Sequence, residues 1–287
     1  MTIMYFTIGD NLDMYVQALF SIVSFRNQLD DTDNVVAVTT NPDYFNHLEY
    51  VKTIVIDDKT VAEWRGAHDF FWRTKIKAIE YVMEHFPDDD IVYLDCDTFL
   101  YGDINDMKKQ LESGCGFMDG DEGHPSRIKY KPKRMYKKIA GHQYADITIS
   151  EKHDMWCAGV VAIPREKAGT VVRTALTICD GMLDDGAEPI VVEQYSLSVA
   201  MSENTVLTSS KPYVAHYWGN KPQWIHIAKD LIVKSMLTNS DLNKDIAEFS
   251  NSMIKETPVY VKKHNTNRKL KGLVDKMFPD SHPKFIE

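Results

Sequence analysis

The sequence predicts an α/β protein with an open, mostly parallel β-sheet, helices on both faces, and a helical C-terminal extension. Short apolar runs alternate with segments of helical periodicity through the first third of the chain, which is the pattern of repeated strand–helix–strand units. The apolar runs lack regular polar alternation, which is typical of parallel strands buried on both faces. Acidic turns directly follow two of these runs, at residues 9–11 and 95–97.

Composition narrows the classes of function. The chain has 287 residues, 44% hydrophobic and 26% charged, which suits one large α/β domain or two smaller ones. The net charge of -9 argues against nucleic acid as a partner. The four cysteines are widely spaced and form neither a zinc framework nor a dense disulfide scaffold, which fits a reducing compartment. The first residues lack the basic region of a signal peptide, and no apolar run approaches ~20 residues, so we predict a cytoplasmic location.

The first half of the chain alternates regularly between strands and helices. The predicted strands are residues 3–8, 34–40, 53–56 and 91–94, and the predicted helices are residues 14–28, 42–50 and 69–86. Asp13 is the expected N-cap of the first helix. Ligands of such sheets bind beyond the carboxyl ends of the strands, so the turns after the first and fourth strands are expected at one edge.

The second half is less regular. We predict strands at residues 114–117, 154–164, 206–207 and 213–215, and helices at 167–183, 195–200 and from 224 onward. The stretch 119–149 is expected to be irregular, either a binding loop or a solvated surface excursion.

The predicted domains are residues 1–224, the ligand-binding domain, and residues 225–287, a helical extension. The last part of the extension is basic and amphipathic, so it either packs on its own domain or contacts a membrane surface peripherally. Its cations are Lys262, Lys263, Arg268, Lys269, Lys271 and Lys276.

Two acids emerge from the fourth apolar run. Asp95 and Asp97 are two residues apart, so in an extended chain their side chains project to the same side. Two carboxylates that meet at one point repel each other unless a cation neutralises them, and a divalent metal ion is the usual partner. The alternative is that one acid caps the following turn while the other is solvated. The polar turn Gly9-Asp10-Asn11, also at a strand end, favours the metal hypothesis.

Three motifs occur in a characteristic order: the Asp10-Asn11 turn, Asp95-x-Asp97, and His216-x-x-Gly219 followed by Lys221-Pro222. From about residue 3 to about residue 224, the chain resembles the retaining GT-A glycosyltransferases of the glycogenin and lipopolysaccharide galactosyltransferase family, glycosyltransferase family 8. The resemblance implies the Rossmann-like GT-A fold, a UDP-sugar donor, and one Mn²⁺ or Mg²⁺ ion held by Asp95, Asp97 and His216. Hard oxygen ligands suit either metal, and the imidazole favours manganese. A purely structural histidine is the alternative for His216.

The resemblance also implies residues that contact the donor. In the segment FTIGDNLDMY, Thr7, Ile8, Asp10 and Asn11 would hold the uracil and ribose, and the ring of Tyr15 would stack on the base. Ordinary turn chemistry also explains Asp10 and Asn11. The remaining donor-binding positions are Arg73, Lys75, Asp95, Cys96, Asp97, Cys157, Ala158, His216, Gly219 and Lys221.

Three residues are implied in catalysis: Glu193, Gln194 and Arg73. Glu193-Gln194 resembles the family's acid–amide pair at the start of a helix facing the donor sugar, although an acid there also complements a helix dipole. Trp72-Arg73-Thr74-Lys75 resembles the family's R-x-K, in which Arg73 faces the donor and Lys75 supports it; two solvated cations are the alternative. The chain departs from the family at Cys157, which replaces an asparagine near the donor sugar, and by one residue less between Gly219 and Lys221.

The predicted function is metal-dependent transfer of a sugar from a nucleotide-diphosphate sugar to a hydroxyl acceptor in glycan or surface polysaccharide synthesis. The resemblance implies that the anomeric configuration is retained. The acceptor would be a glycan, a lipid-linked sugar or a protein, reached from the 119–149 stretch through His124, Arg127 or Lys129. A homodimer is the expected assembly. Two rivals are a GT-A module that binds nucleotide or carbohydrate without catalysis, and a sugar-phosphate nucleotidyltransferase. The latter normally has a glycine-rich basic loop after its first strand, which Gly9-Asp10-Asn11 lacks.

Overall fold

The computed structural model describes residues 1–261 and 265–278. Its strands are β1 (Thr2–Thr7), β2 (Asn34–Thr39), β3 (Val51–Val55), β4 (Ile91–Leu94), β5 (Thr98–Leu100), β6 (Cys115–Met118), β7 (Asp121–Gly123), β8 (Gln143–Tyr144), β9 (Ile147–Thr148), β10 (Met155–Trp156), β11 (Val160–Ile163), β12 (Val206–Ser209) and β13 (Val214–His216). Its helices are α1 (Leu12–Arg26), α2 (Asp58–Trp64), α3 (Arg73–His85), α4 (Ile104–Glu112), α5 (Lys131–Ile139), α6 (Arg165–Asp184), α7 (Val192–Asn204), α8 (Lys221–Thr238), α9 (Leu242–Met253) and α10 (Asn265–Met277).

Seven strands form the central sheet in the order β12-β6-β11-β4-β1-β2-β3. The pairs β1–β2, β1–β4, β2–β3 and β6–β12 are parallel, whereas β11 is antiparallel to both of its neighbours. The predicted mostly parallel α/β sheet is therefore confirmed. Because β11 is antiparallel to β4 and β6, its first residue lies at the edge of the sheet where β1, β4 and β6 end.

Helices cover both faces of the sheet. In β1, the side chain of Met4 packs in a core formed with α3, α6 and α7, whereas Ile3 and Tyr5 pack in a second core with α1 and α4. Both sides of each central strand are thus buried in apolar surroundings. This explains why these strands read as continuous apolar runs.

Several predicted boundaries in the first half are wrong. The side chain of Asn11, not Asp13, caps α1 by accepting a hydrogen bond from the backbone of Asp13 at 3.1 Å. Residues 42–50 form only a single 3₁₀ turn, Pro42–Tyr44, rather than a helix, and α2 and α4 were not predicted.

The second half contains more regular structure than predicted. The 119–149 stretch includes β7, α5 and the hairpin of β8 and β9, so it is not irregular. The single strand expected at 154–164 is two strands, because β10 pairs with β7 while β11 pairs inside the central sheet. The chain crosses between these two pairings at Cys157-Ala158-Gly159.

The beginning of the C-terminal extension packs on the rest of the protein. The helices α8 and α9 contact α1, and α8 runs across the domain boundary predicted at residue 224. Their shared apolar cluster contains Phe20, Val23, Phe99, Ala215, Tyr217, Trp224, Ala228 and Ile246.

The helix α10 exposes an apolar row that includes Leu270, Leu273, Val274 and Met277. The predicted cations Lys262 and Lys263 lie outside the described residues, and contact of this segment with a membrane stays a prediction. Within residues 1–261 and 265–278, none of the helices has the length and apolar character needed to cross a membrane.

Candidate functional site

The two acids after β4 are held differently. Asp95 is partly exposed; its Oδ1 accepts a hydrogen bond from the Tyr93 hydroxyl at 2.6 Å, and its backbone N–H donates to the Gly159 carbonyl at 2.8 Å. Asp97 is buried, and its carbonyl accepts from the backbone N–H of Tyr217 at 3.0 Å. The backbone on both sides of the motif is therefore fixed by neighbouring strands.

Two cationic residues flank the Asp97 carboxylate. The antiparallel pairing of β13 with β5 places His216 opposite Thr98, next to the acid pair. Asp97 Oδ2 lies 3.4 Å from His216 Nε2 and 2.9 Å from Lys221 Nζ at the start of α8. Burial opposes the charge, but the contacts with His216 and Lys221 outweigh it and hold the pKa of Asp97 well below its ordinary value. The carboxylate is therefore ionised at neutral pH.

The acid pair and the histidine fit a divalent metal ion. Asp95, Asp97 and His216 can each offer a ligand atom, and these atoms lie within 4.8 Å of one another. Despite its ion-pair contacts, the buried Oδ2 of Asp97 forms no well-aligned hydrogen bond, so it retains a free lone pair. Two carboxylates and an imidazole suit manganese, and the oxygens alone suit magnesium. The residues present are therefore able to hold a divalent metal ion, and which metal binds stays a prediction.

The second imidazole nitrogen of His216 faces a different pair of side chains. Nδ1 lies 3.1 Å from Asp119 Oδ2 and 3.7 Å from Cys157 Sγ. Burial alone would lower the pKa of His216, but the hydrogen bond with Asp119 and the ion-pair contact with Asp97 raise it well above its ordinary value. Gly159 makes room for the ring, since a Cβ there would lie 2.1 Å from His216 Cε1. The imidazole is thus fixed between two groups of potential ligands.

A buried ion-pair network lies beneath the acid pair. Lys75 Nζ is 2.9 Å from Glu193 Oε1, 3.4 Å from Asp95 Oδ1 and 3.2 Å from the Ala158 carbonyl oxygen. Burial would lower the pKa of Lys75, but its two acidic neighbours raise it. Burial also raises the pKa of Glu193, against the opposing effect of Lys75. Lys75 therefore links the metal motif after β4 to the start of α7.

The side chain of Gln194 points to another acid. Its Nε2 donates to Glu122 Oε2 at 2.9 Å, and Gln194 lines a central cavity of about 270 Å³ with Asp95, Asp97 and His216. Burial raises the pKa of Glu122. The acid–amide pair at residues 193–194 thus approaches the Asp95–Asp97–His216 cluster from two sides, Glu193 through Lys75 and Gln194 from the cavity.

Some of the predicted nucleotide-binding residues line a cleft beside the acid pair, and others do not. Ile8, Asn11 and Cys96 line a cleft of about 400 Å³ that continues to Asp95, Asp97 and Lys221. Thr7 is buried and donates its hydroxyl to Thr39 at 2.9 Å, outside the cleft lining.

Asp10 and Tyr15 are also absent from the cleft lining. Asp10 accepts a hydrogen bond from Asn41 at 2.9 Å. The Tyr15 hydroxyl donates to the Gly9 carbonyl at 2.5 Å, and its buried ring is stacked on Tyr44. The structure therefore does not offer the Tyr15 ring to a base as the sequence predicts, because its face is already covered.

Arg73 and Gly219 also lie differently from expectation. The Arg73 guanidinium forms two hydrogen bonds with the Asp180 carboxylate, at 2.7 and 2.9 Å, and does not line the cleft beside Lys75. A Cβ at Gly219 would lie 2.1 Å from the ring of Tyr260, so the missing side chain makes room for that ring, and contact of the Gly219 backbone with phosphate stays a prediction.

The fold of this chain is similar to that of solved glycosyltransferase structures. Neither a protein-family model nor a curated protein matches the sequence. A crystal structure of the galactosyltransferase LgtC in complex with donor and acceptor sugar analogs is similar, with a TM-score of 0.53 and 12% identity over 80% of this chain and 96% of that chain. This chain has the GT-A glycosyltransferase fold. The structure of an active-site mutant of LgtC gives a TM-score of 0.50 and 14% identity over 73% of each chain.

The GT-A fold brings together residues that the sequence did not single out. Asp119 follows β6 and Glu122 lies in β7, yet both reach the cluster around His216 and Gln194. A signal for Asp119 was present, because an acid directly after an apolar run is also what marks Asp95. A third cavity, of about 440 Å³, is lined by Asp119, Cys157 and His216 on the other side of the imidazole.

Proposed function

We propose that this protein is a metal-dependent glycosyltransferase. It transfers a sugar from a nucleotide-diphosphate donor, UDP-linked, to a hydroxyl acceptor with retention of anomeric configuration. The observation that carries the proposal is the buried Asp97 carboxylate between His216 and Lys221, with one oxygen lacking a well-aligned hydrogen bond. The GT-A fold supports it, because LgtC with this fold is described with donor and acceptor sugar analogs.

Each member of the cluster has a role in this reaction. Asp95, Asp97 and His216 would hold Mn²⁺ or Mg²⁺, which supplies positive charge to the leaving diphosphate. Lys221 is half exposed at the first turn of α8, so its ammonium and the helix N-terminus both favour an anion there. Lys75 neutralises Asp95 and Glu193 from below and keeps the carboxylate of Asp95 in place.

The sugar would lie in the central cavity lined by Gln194, Cys157 and Ala158. In the transfer, the bond from the anomeric carbon to the diphosphate oxygen breaks and its electron pair leaves with the diphosphate. The acceptor oxygen forms the new bond on the same face, and its proton passes to the departing diphosphate. Gln194 orients the sugar from the cavity wall, and Glu193 is a positioning residue through Lys75. Arg73 holds α3 against α6 in this scheme, because its guanidinium is bound to Asp180.

The test combines donor binding with turnover. A panel of UDP-sugars is scored by thermal shift with and without Mn²⁺, and by metal-dependent hydrolysis of the donor. A donor that binds the native protein raises its apparent stability by mass action. We expect at least one UDP-sugar to give a shift that depends on Mn²⁺ and to be hydrolysed only with the metal.

Asp97→Asn should abolish both the Mn²⁺-dependent shift and hydrolysis, whereas Asp43→Asn, in the exposed 3₁₀ turn after β2, should change neither. A shift that survives unchanged in Asp97→Asn would remove the acid pair from the metal site. Tight nucleotide binding without hydrolysis of any donor would instead leave the non-catalytic module as the function.

A further inference from the structure

A second set of metal-ligand side chains lies on the far side of His216. Asp119, Cys157 and His216 can each offer one ligand atom, all within 4.8 Å of one another. This set contains a thiol, which the Asp95–Asp97 set lacks. We propose that Asp119, Cys157 and His216 Nδ1 form a separate site for a thiophilic divalent cation, with Zn²⁺ as the natural occupant.

The distances match those that zinc requires. With Zn–S near 2.3 Å and Zn–N near 2.0–2.1 Å, a tetrahedral ion separates sulfur from nitrogen by about 3.6 Å and oxygen from nitrogen by about 3.3 Å. Cys157 Sγ is 3.7 Å from His216 Nδ1, and Asp119 Oδ2 is 3.1 Å from the same atom. The two separations from Nδ1 therefore agree with a tetrahedral zinc site to within a few tenths of an ångström, and the ligand atoms of Asp119 and Cys157 lie within 4.8 Å of each other.

The surroundings leave room for entry and for a fourth ligand. All three residues line the cavity of about 440 Å³, which opens between β7 and the segment around Tyr260. Three protein ligands with one open position is the arrangement that zinc adopts when it also holds water. Asp119 and His216 are themselves buried, so their positions are set by the fold before an ion arrives.

Ligand softness separates the two sites. Thiolate ligands select zinc and other soft ions, whereas manganese and magnesium prefer oxygen. On binding, the Cys157 S–H bond and the His216 Nδ1–H bond break, both protons pass to solvent, and sulfur and nitrogen each donate an electron pair to the ion, with no change in oxidation state. The Asp119–Cys157 side is thus matched to zinc, and the Asp95–Asp97 side to manganese.

The imidazole makes the two sites mutually exclusive. A neutral histidine has one nitrogen with a free lone pair and one that carries a proton. Nε2 faces Asp97 and Nδ1 faces Asp119 and Cys157, so a metal on one side leaves the proton on the other. Zinc at Nδ1 therefore removes His216 from the Asp95–Asp97 set. This consequence rests on the proposed function: Zn²⁺ inhibits the Mn²⁺-dependent reaction.

The experiment is a titration of the full chain with Co²⁺, followed by displacement with Zn²⁺. Thiolate coordination produces a near-ultraviolet charge-transfer band, which we expect at one equivalent of Co²⁺ and which Zn²⁺ should remove. Cys157→Ser should abolish the band and weaken Zn²⁺ binding by at least about 100-fold, because a direct ligand is lost and even loss of an outer-shell partner costs about 10–100-fold. Cys115→Ser, at the beginning of β6 and the opposite end of that strand from Asp119, should keep the band.

Two further variants identify the ligands independently of Cys157. Asp119→Asn should also weaken Zn²⁺ binding, while Cys96→Ser, on the Asp97 side, should leave the band intact. A band that persists in Cys157→Ser or disappears in Cys96→Ser would overturn the proposal. Manganese-dependent hydrolysis without a cobalt band would contradict this site but not the proposed function. A cobalt band without any hydrolysis of donor would support this site and contradict the proposed function.

Discussion

The carboxyl edge of the sheet has two parts whose polar groups are satisfied in different ways. At the end of β1 and β2, polar groups of the protein bind one another: the buried Thr7 binds Thr39, the Gly9 N–H binds Thr40, and the exposed Asp10 binds Asn41. At the end of β4 and the beginning of β11, by contrast, buried side chains of opposite charge lie next to one another. These charges belong to Lys75, Asp97, Glu193 and His216.

The difference indicates which part of the edge is built for a ligand. A network that is complete within the protein gains little from a further partner, so the β1–β2 end serves as scaffold. Buried charges are costly unless they are paired and hydrogen-bonded, and the Oδ2 atom of Asp97 is not well hydrogen-bonded. The β4–β11 end is therefore where an added cation is most favourable.

The largest expected effect comes from removing the central cation of the β4–β11 end. Lys75→Met leaves the buried Glu193 carboxylate without its partner, so the free energy of unfolding should fall by about 3–5 kcal/mol in urea denaturation. The double variant Lys75→Met/Glu193→Gln should recover most of that loss, because the uncompensated buried charge is then gone.

The matched control is a lysine–glutamate pair at the surface. Lys59 and Glu63 are 3.8 Å apart and largely exposed, so Lys59→Met should cost less than about 1 kcal/mol. Equal decreases in the free energy of unfolding for Lys75→Met and Lys59→Met would mean that the buried ion pairs of Lys75 contribute no more to stability than a solvated ion pair.

The second effect concerns the position of His216. In Gly159→Ala the added Cβ would overlap the imidazole, so the ring must move, at a cost of about 3 kcal/mol, the upper end for overpacking. The Mn²⁺-dependent thermal shift should be lost as well. Gly169→Ala, in α6 with open space around it, should instead stabilise the protein by up to about 1 kcal/mol. A normal metal response in Gly159→Ala would show that His216 does not need its present position.

The β4–β11 end also marks where sequence reasoning succeeded and where it failed. The apolar run before Asp95 sufficed to predict the strand, because strand periodicity is a local property. Residues 96–97 form a turn rather than extended chain, so the reason given for the direction of the two carboxylates does not hold, although their ligand atoms lie close together. The salt bridge from Lys75 to Glu193 joins residues that only the fold brings together, and no local pattern predicts it. Arg73 and Lys75 are similar cations two residues apart in the sequence, yet Arg73 contacts Asp180 and Lys75 contacts Asp95 of the candidate metal site.

Two missed helices did have local signals. In α4, Asp103 is the N-cap and Ile104, Met107 and Leu111 recur at helical spacing. In α5, Met135 and Ile139 form part of an apolar stripe, but the many lysines of that stretch suggested a solvated loop.

A smaller effect is expected for the contact that removes Arg73 from the cleft. Arg73→Gln and Asp180→Asn should each lower the free energy of unfolding by about 1–2 kcal/mol, because a charge-assisted pair is lost at a partly exposed position. A double-mutant cycle should show that the two losses are coupled, and both variants should hydrolyse donor at equal rates. A loss of turnover specific to Arg73→Gln would instead support the sequence prediction that Arg73 acts on the donor.

The smallest effect tests the β1–β2 end. Tyr15→Phe removes the hydroxyl that donates to the Gly9 carbonyl, so the free energy of unfolding should fall by about 1 kcal/mol. Its ring stays packed against Tyr44, and the cleft lining at Ile8 and Asn11 is unchanged. The affinity for UDP, measured by calorimetry, should therefore stay within about twofold, a difference of roughly 0.4 kcal/mol. A tenfold loss of UDP affinity with unaltered stability would mean that this hydroxyl binds nucleotide, and the β1–β2 end would then belong to the site rather than to its scaffold.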